Sequence, residues 1–274
     1  MTDALPSSSD IPSRRQARSD KGHPQLTHRD EIILGLIGEQ VAYRFDQLQS
    51  LLARHQESQS QDPMALSESR TYALIQRWQK LDLADYCKIR HYEPGWIYLT
   101  RKGLSYLHLP VRFLDPYHSD LDHLFWVNET RALVEETYRS RPGFQWESER
   151  LYRATRERFK AQQRREPGLW IPLEYRSSHR PDALLRYQVG EEPDITQIVA
   201  GIETELSEKA YATWRAIFLD LLQHTHYAQY YVHSDIKSTF VRALAQFQSE
   251  EPVFGEPNRE RRQFIYVHDL REAL

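Results

Sequence analysis

Residues 179–187 read HRPDALLRY and residues 198–209 read IVAGIETELSEK, and these two stretches decide how the chain is organised. Each is a short apolar run edged by charge, so the pattern predicts strands over Pro181–Val189 and Gln197–Leu206. Asp182 falls near the start of the first strand, and Glu203 and Glu205 near the end of the second. Side chains alternate along a strand, so Glu203 and Glu205 share one face while Ile202, Thr204 and Leu206 take the other. Three carboxylates can therefore converge. Phosphodiester hydrolysis uses such a set, because Mg²⁺ is held by one or two carboxylates plus phosphate oxygens and there activates water and offsets phosphate charge. Asp182 and Glu203 are the expected ligands for Mg²⁺ or Mn²⁺, with Glu205 beside them.

Outward from this centre, Leu121–Tyr138 (LDHLFWVNETRALVEETY) has the spacing of a long helix, and Phe144–Tyr152 is a further strand candidate. An amphipathic helix is predicted over Lys209–Leu222, with Tyr211, Trp214, Phe218 and Leu221 on one face. A strand at Ala228–His233, a helix at about Lys237–Gln248 and a strand at Gln263–His268 complete the order α-β-β-β-α-β-α-β. From Arg139 to Glu166 nine Lys and Arg stand against four Asp and Glu, so Arg153, Arg156 and Arg158 are candidate phosphate contacts. A solvated charged hairpin is the plainer reading of that segment.

Pro181-Asp182, a gap, then Glu203-x-Glu205 ahead of a helix resembles the motif of the PD-(D/E)xK nuclease superfamily. Glu205 stands where that motif usually has lysine; some members carry glutamate there, others move the lysine to the next helix, and Lys209 is placed for that part. Over about residues 27–268 the chain resembles the replication-relaxation family of plasmid and mobile-element proteins, in the stretches WIYLTRKG, LDHLFWVNETR, HRPDALLRY and GIETELSEK. The resemblance implies a restriction-endonuclease-like mixed sheet flanked by helices over residues 118–274. It also implies a role in plasmid replication or mobilisation, with other mobile-element proteins as partners.

The N-terminal part carries a different pattern. Helices are predicted from His28, over Phe45–Leu52 and over about Ser67–Leu81, the last with Leu74, Ile75, Trp78 and Leu81 at helical spacing. Two extended runs, Asp85–His91 and Trp96–Thr100, meet across the turn residues Glu93-Pro94-Gly95. Three helices and a hairpin make a winged helix-turn-helix, here over residues 27–110. In that fold the third helix enters the major groove and the hairpin follows the backbone. Arg70, Arg77 and Lys80 form one stripe on this helix, and Arg90, Arg101 and Lys102 at the hairpin would hold phosphates. An ordinary solvated helix face has the same composition, and winged helices also bind proteins.

The 274 residues suffice for two domains, and 27% charged residues with a mean hydropathy of -0.71 make a polar surface. Residues 1–26, rich in Ser, Pro, Asp and Arg, are expected to be a disordered arm. No apolar run approaches the roughly 18 residues of a membrane helix, and a single cysteine, Cys87, fits a reducing cytoplasm. The net charge of -3 excludes a uniformly basic coat, so nucleic-acid contact must be local. His224 and His226, if both on a helix, diverge by about 200° and make no metal pair. GxxxxGK[ST], GxGxxG and GxSxG are absent, which removes the commonest signals of NTPase, dinucleotide and serine-hydrolase chemistry. The expectation is a protein that binds duplex DNA through the winged helix and acts in replication or mobilisation of a plasmid or mobile element with a nuclease-like C-terminal domain, as a homodimer on a palindromic site. One alternative is an Mg- or Mn-dependent endonuclease or nickase, and another is a transcriptional regulator whose C-terminal domain only dimerises or docks partners.

Overall fold

A computed structural model describes residues 25–55, 66–118, 120–253 and 255–270, so the expected disordered arm lies outside the described residues except at its last two positions. The chain is mixed α/β, with a three-stranded antiparallel sheet near the N-terminus and a five-stranded mixed sheet after it. No described helix is long and apolar enough to cross a membrane.

Helix α1 (His28–Gln40) starts at a reciprocal cap in which Thr27 N–H donates to Asp30 at 2.7 Å and Asp30 N–H to Thr27 Oγ1 at 3.3 Å. Its Ile33, Leu34 and Ile37 pack with Leu48, Leu51 and Leu52 of α2 (Phe45–Arg54) and with Ile75 and Trp78 of α3 (Glu68–Lys80). Strands β1 (Ala42–Arg44), β2 (Ala84–Cys87) and β3 (Trp96–Leu99) form the sheet in the order β1-β3-β2. The paired run of β2 is shorter than the sequence predicts. Residues 88–95 form a longer turn, in which Arg90 pairs with Glu93 at 2.9 Å and Gly95 N–H donates to the Tyr86 hydroxyl at 3.2 Å. A Cβ at Gly95 would stand 2.3 Å from the Tyr86 ring, so only glycine fits there. Arg101 and Lys102, expected in the hairpin, open a short helix α4 (Arg101–Tyr106), because Thr100 caps Gly103 N–H at 3.0 Å.

Helix α5 (Leu121–Tyr138) covers one face of the larger sheet and also holds the N-terminal elements. Leu121 and Leu124 pack on Ala42 and Trp96; buried Asn128 donates to Ala42 O at 3.0 Å, and Arg131 pairs with Glu39 at 3.0 Å. The sheet runs β4 (Gln145–Ser148), β5 (Ala183–Val189), β6 (Thr196–Glu205), β7 (Tyr227–Val232), β8 (Ile265–Asp269). Its β4-β5-β6 half is antiparallel and its β6-β7-β8 half parallel. The parallel half needs crossovers, and α7 (Tyr211–His224) and α8 (Ser234–Ser249) supply them, packing Trp214, Phe218 and Phe240 on the second face.

The expected strand Phe144–Tyr152 is a short strand followed at once by helix α6 (Glu149–Arg165), which the sequence pattern does not predict. Ser148 caps this helix by accepting from Leu151 N–H, and Tyr152 and Phe159, two turns apart, pack it over Leu184 and Val199. A run without Gly or Pro from Ser148 to Glu166, with its few apolar residues gathered on one helical face, is the signal that the sequence offers.

Asp30 is fully buried. Burial opposes its charge, but bonds from Thr27 and Arg77 hold its carboxyl below the usual range, and Trp78 Nε1–H donates to it at 3.1 Å. Asp30→Ala removes the side-chain half of the reciprocal cap, the acceptor for Thr27 N–H, and leaves Arg77 and Trp78 without an acceptor, so we expect a loss of about 3 kcal/mol in urea denaturation. A loss below about 1 kcal/mol, the value of an exposed pair, would mean that this network does not hold the N-terminal elements together.

Candidate functional site

Strand β6 carries Glu203 and Glu205 to its C-terminal end, on the face that α7 covers, while Thr204 turns to α5 and meets Thr130 at 3.1 Å. The alternation read from the sequence is therefore the observed one. Asp182, just ahead of β5, arrives at the same place: its Oδ2 accepts from Thr204 N–H at 2.7 Å. Glu203 feels the charges of both Asp182 and Glu205.

Each carboxyl group has a basic partner from a different segment. His123, in the first turn of α5, reaches Asp182 Oδ1 at 2.9 Å. His179, in the loop before β5, reaches Glu203 Oε1 at 2.7 Å. Lys209, in the loop before α7, pairs with Glu205 Oε1, while Trp214 Nε1–H donates to Glu205 Oε2 at 3.1 Å. The His179 loop is fixed from beneath by Asp220 of α7, which accepts from Ser177 and Ser178 and from the His179 N–H at 3.1 Å.

The electrostatics follow from burial. Removal from water pushes Glu203 up to about 7, against the pull of His179. Burial disfavours a charged His123, but the bond and charge of Asp182 outweigh it and raise the imidazole to about 9. His179 is likewise raised, since Glu203 outweighs its burial.

Glu205 is held on both oxygens and is 4% exposed, so it turns into the fold rather than toward a ligand. Asp182 is likewise held on both oxygens, by His123 and by Thr204 N–H, so a cation there would have to displace His123, and Glu203 Oε2 is the carboxylate oxygen left without a hydrogen bond among the described residues. Among the described residues no group of three or more His, Cys, Asp and Glu could hold a metal by itself.

Of the residues expected to meet DNA, Arg70 and Lys80 lie exposed on α3, whereas Arg77 turns in to Asp30. Arg90 is bound to Asp122 at 2.7 and 3.0 Å, Lys102 Nζ donates to Leu81 O at 2.9 Å, and Arg101 lies over the Phe113 ring at 5.2 Å. On α6, Arg153 and Arg158 are exposed and Arg156 is half-buried. Glu129 accepts from Gln47 at 2.6 Å. His226 lies beyond α7 and its Nδ1 accepts from Val199 N–H at 3.0 Å.

No protein-family model, no curated protein and no solved structure matches this chain. Function must therefore be argued from the geometry of the site. The sequence pattern assigns no part to His123 or His179, although both stand inside the stretches it singles out. Nothing in a linear pattern says which histidine a buried carboxylate will find.

The imidazole of His123 is raised from its ordinary 6.5, so its contribution to stability is complete below pH 6.5 and lost as pH rises through about 9. The raised carboxyl of Glu203 acts with the same sign, its contribution being lost as pH rises through about 7. Denaturation midpoints should therefore fall across this window, and fall less in Asp182→Asn, which keeps an acceptor for Thr204 N–H but loses the charge. Identical pH slopes in the two proteins would remove the His123–Asp182 pair from the account.

Proposed function

We propose that the chain binds duplex DNA through its N-terminal elements and that its C-terminal sheet carries a restriction-endonuclease-like phosphodiester site. The observation that carries this reading is the meeting of Asp182, Glu203 and Glu205 with Lys209 at the end of β6, an acid-acid-lysine set assembled from separate segments. Mg²⁺ or Mn²⁺ held by Asp182 and Glu203 together with phosphate oxygens would offset charge on the phosphate and lower the pKa of a bound water. Lys209, swung from Glu205, orients the attacking water or the phosphate.

The order α1-β1-α2-α3-β2-β3 with its small antiparallel sheet supports a winged-helix reading of the N-terminal part. In that reading α3 lies in the major groove, with Arg70 and Lys80 on its exposed face. Arg77 serves indirectly by fastening α3 to α1 through Asp30, and Arg101 and Lys102 approach the backbone from α4. Arg153 and Arg158 extend the phosphate path along α6. By resemblance to the replication-relaxation family, the role is in replication or mobilisation of plasmid or mobile-element DNA in the cytoplasm, with a homodimer on a palindrome.

A second reading has its own observation. His123, His179 and Lys209 pair with the three carboxyl groups one for one, which leaves the sheet end occupied by its own side chains, as in a domain that only docks partners.

Two measurements test these readings. Arg70→Ala and Lys80→Ala should each lower duplex affinity and reduce the slope of log K against log salt by about 1. Unchanged affinity at every salt concentration would remove α3 from the interface. Supercoiled plasmid carrying the bound sequence should be nicked in Mn²⁺ by the native protein and left intact by Asp182→Ala. Nicking by both would implicate another site, and nicking by neither despite tight binding would establish the docking role.

A further inference from the structure

The cavity of about 490 Å³ between α6 and residues 171–176 is lined by Arg156, Lys160, Gln163, Ile171, Tyr175 and Arg176. Its size falls within the roughly 300–1,000 Å³ of small-molecule sites. Three of its six lining side chains are cationic, and none of the six is acidic.

These cations face no carboxylate across the cavity, although Arg176 is exposed and donates from Nε to the Ile171 carbonyl at 2.8 Å. Arg156 Nε is buried without a hydrogen-bond partner, and neither Arg156 nor Arg176 has a carboxylate within ion-pair distance among the described residues. Lys160 has only a loose contact with Glu157 at 3.7 Å. Glu147, just behind the cavity, is engaged by Arg186 at 2.6 Å and by the Tyr175 hydroxyl at 2.8 Å, and Glu174 by Arg186 at 3.3 Å. Like charges gathered in one concave site repel unless an anion joins them, and planar guanidinium groups beside an ammonium match the several oxygens of a phosphate.

A second feature adjoins the first. Trp170, next to Ile171 of the lining, is 68% exposed, and Arg176 stands over its ring at 5.9 Å. An exposed indole beside a cationic pocket offers a face on which any nucleobase can stack. We propose that this cavity binds a nucleotide through its phosphate monoester, with Arg156, Lys160 and Arg176 on the phosphate and the base on Trp170. The source is either the terminal phosphate of a DNA strand or a free mononucleotide.

The position favours a strand end. Residues 171–180 run from the cavity to His179, and α6 starts where Glu149 N–H donates to Asp182 O at 2.7 Å. Arg156 lies two turns further on, about 10 Å along the helix. This preference for a strand end rests on the phosphodiester site proposed above, beside which the same helix begins. The site shares no residue with the exposed face of α3, so its failure leaves the proposed duplex binding standing, and the reverse holds too.

The experiment uses the full chain and labelled single strands of about six nucleotides, read by fluorescence anisotropy. Strands ending in 5′- or 3′-phosphate should bind roughly tenfold more tightly than the same strand with hydroxyl ends. Lys160→Ala, a change on the protein surface, should erase that preference, and Arg156→Ala should do the same while Arg156→Lys recovers part of it. Trp170→Ala should weaken phosphorylated and hydroxyl strands alike, by about tenfold, and leave their ratio unchanged. Displacement of the strand by a mononucleotide at matching concentrations would assign the site to free nucleotides, and displacement only by phosphorylated strands would assign it to strand ends. Equal binding of phosphorylated and hydroxyl strands, no binding of either, or a preference that survives Lys160→Ala would overturn the proposal.

Discussion

Three carboxylates packed at one end of β6 cannot all stay charged in a nearly dry environment without partners, and much of the C-terminal architecture answers that constraint. Asp182 takes His123 from α5, Glu203 takes His179 from the loop before β5, and Glu205 takes Lys209 from the loop before α7. The three partners fix the approach of three separate segments to the sheet. Asp220 repeats the logic one layer further out, where it shapes the turn that presents His179.

Helix α5 joins this cluster to the N-terminal elements. Its first turn supplies His123, its middle supplies Asn128 to the edge of the small sheet, and Arg131 on the following turn is buried between Glu39 and Glu135. Buried polar groups with full partners fix register more strictly than apolar contact does, because a small shift leaves a donor or a charge unpaired. Arg150 adds to the joint by donating to the carbonyls of Gly38 and Arg112. The small sheet is thereby tied to the larger one through polar bonds as well as through the apolar contact of Leu121 and Leu124 with Trp96.

Charge is distributed by use. The carboxylate end of the sheet is balanced within itself, whereas α6 exposes cations with few acidic neighbours. A net charge of -3 hides this division, since the cationic excess of α6 is outweighed by acidic residues elsewhere in the chain.

Elements with strong periodicity, and the face that each presents, are legible in the linear chain. The helix expected from Leu121 to about Tyr138 is α5, each strand of the larger sheet falls within or beside a predicted run, and the sharing of one face by Glu203 and Glu205 follows from alternation along a strand. These features are local: backbone geometry sets them, and neighbours in the chain suffice to reveal them. Helix α6 has a helical division of its residues but few large apolar ones, so its charge masks it in the linear chain, and its packing on Leu184 and Val199 of distant strands is a tertiary matter. Folding alone settles that Arg77 serves Asp30, that Glu205 faces inward to Trp214, and that two unassigned histidines cap the acidic cluster. A charged side chain takes its role from whichever partner stands beside it after folding, and that partner lies 47 residues away for Arg77 and 59 for His123.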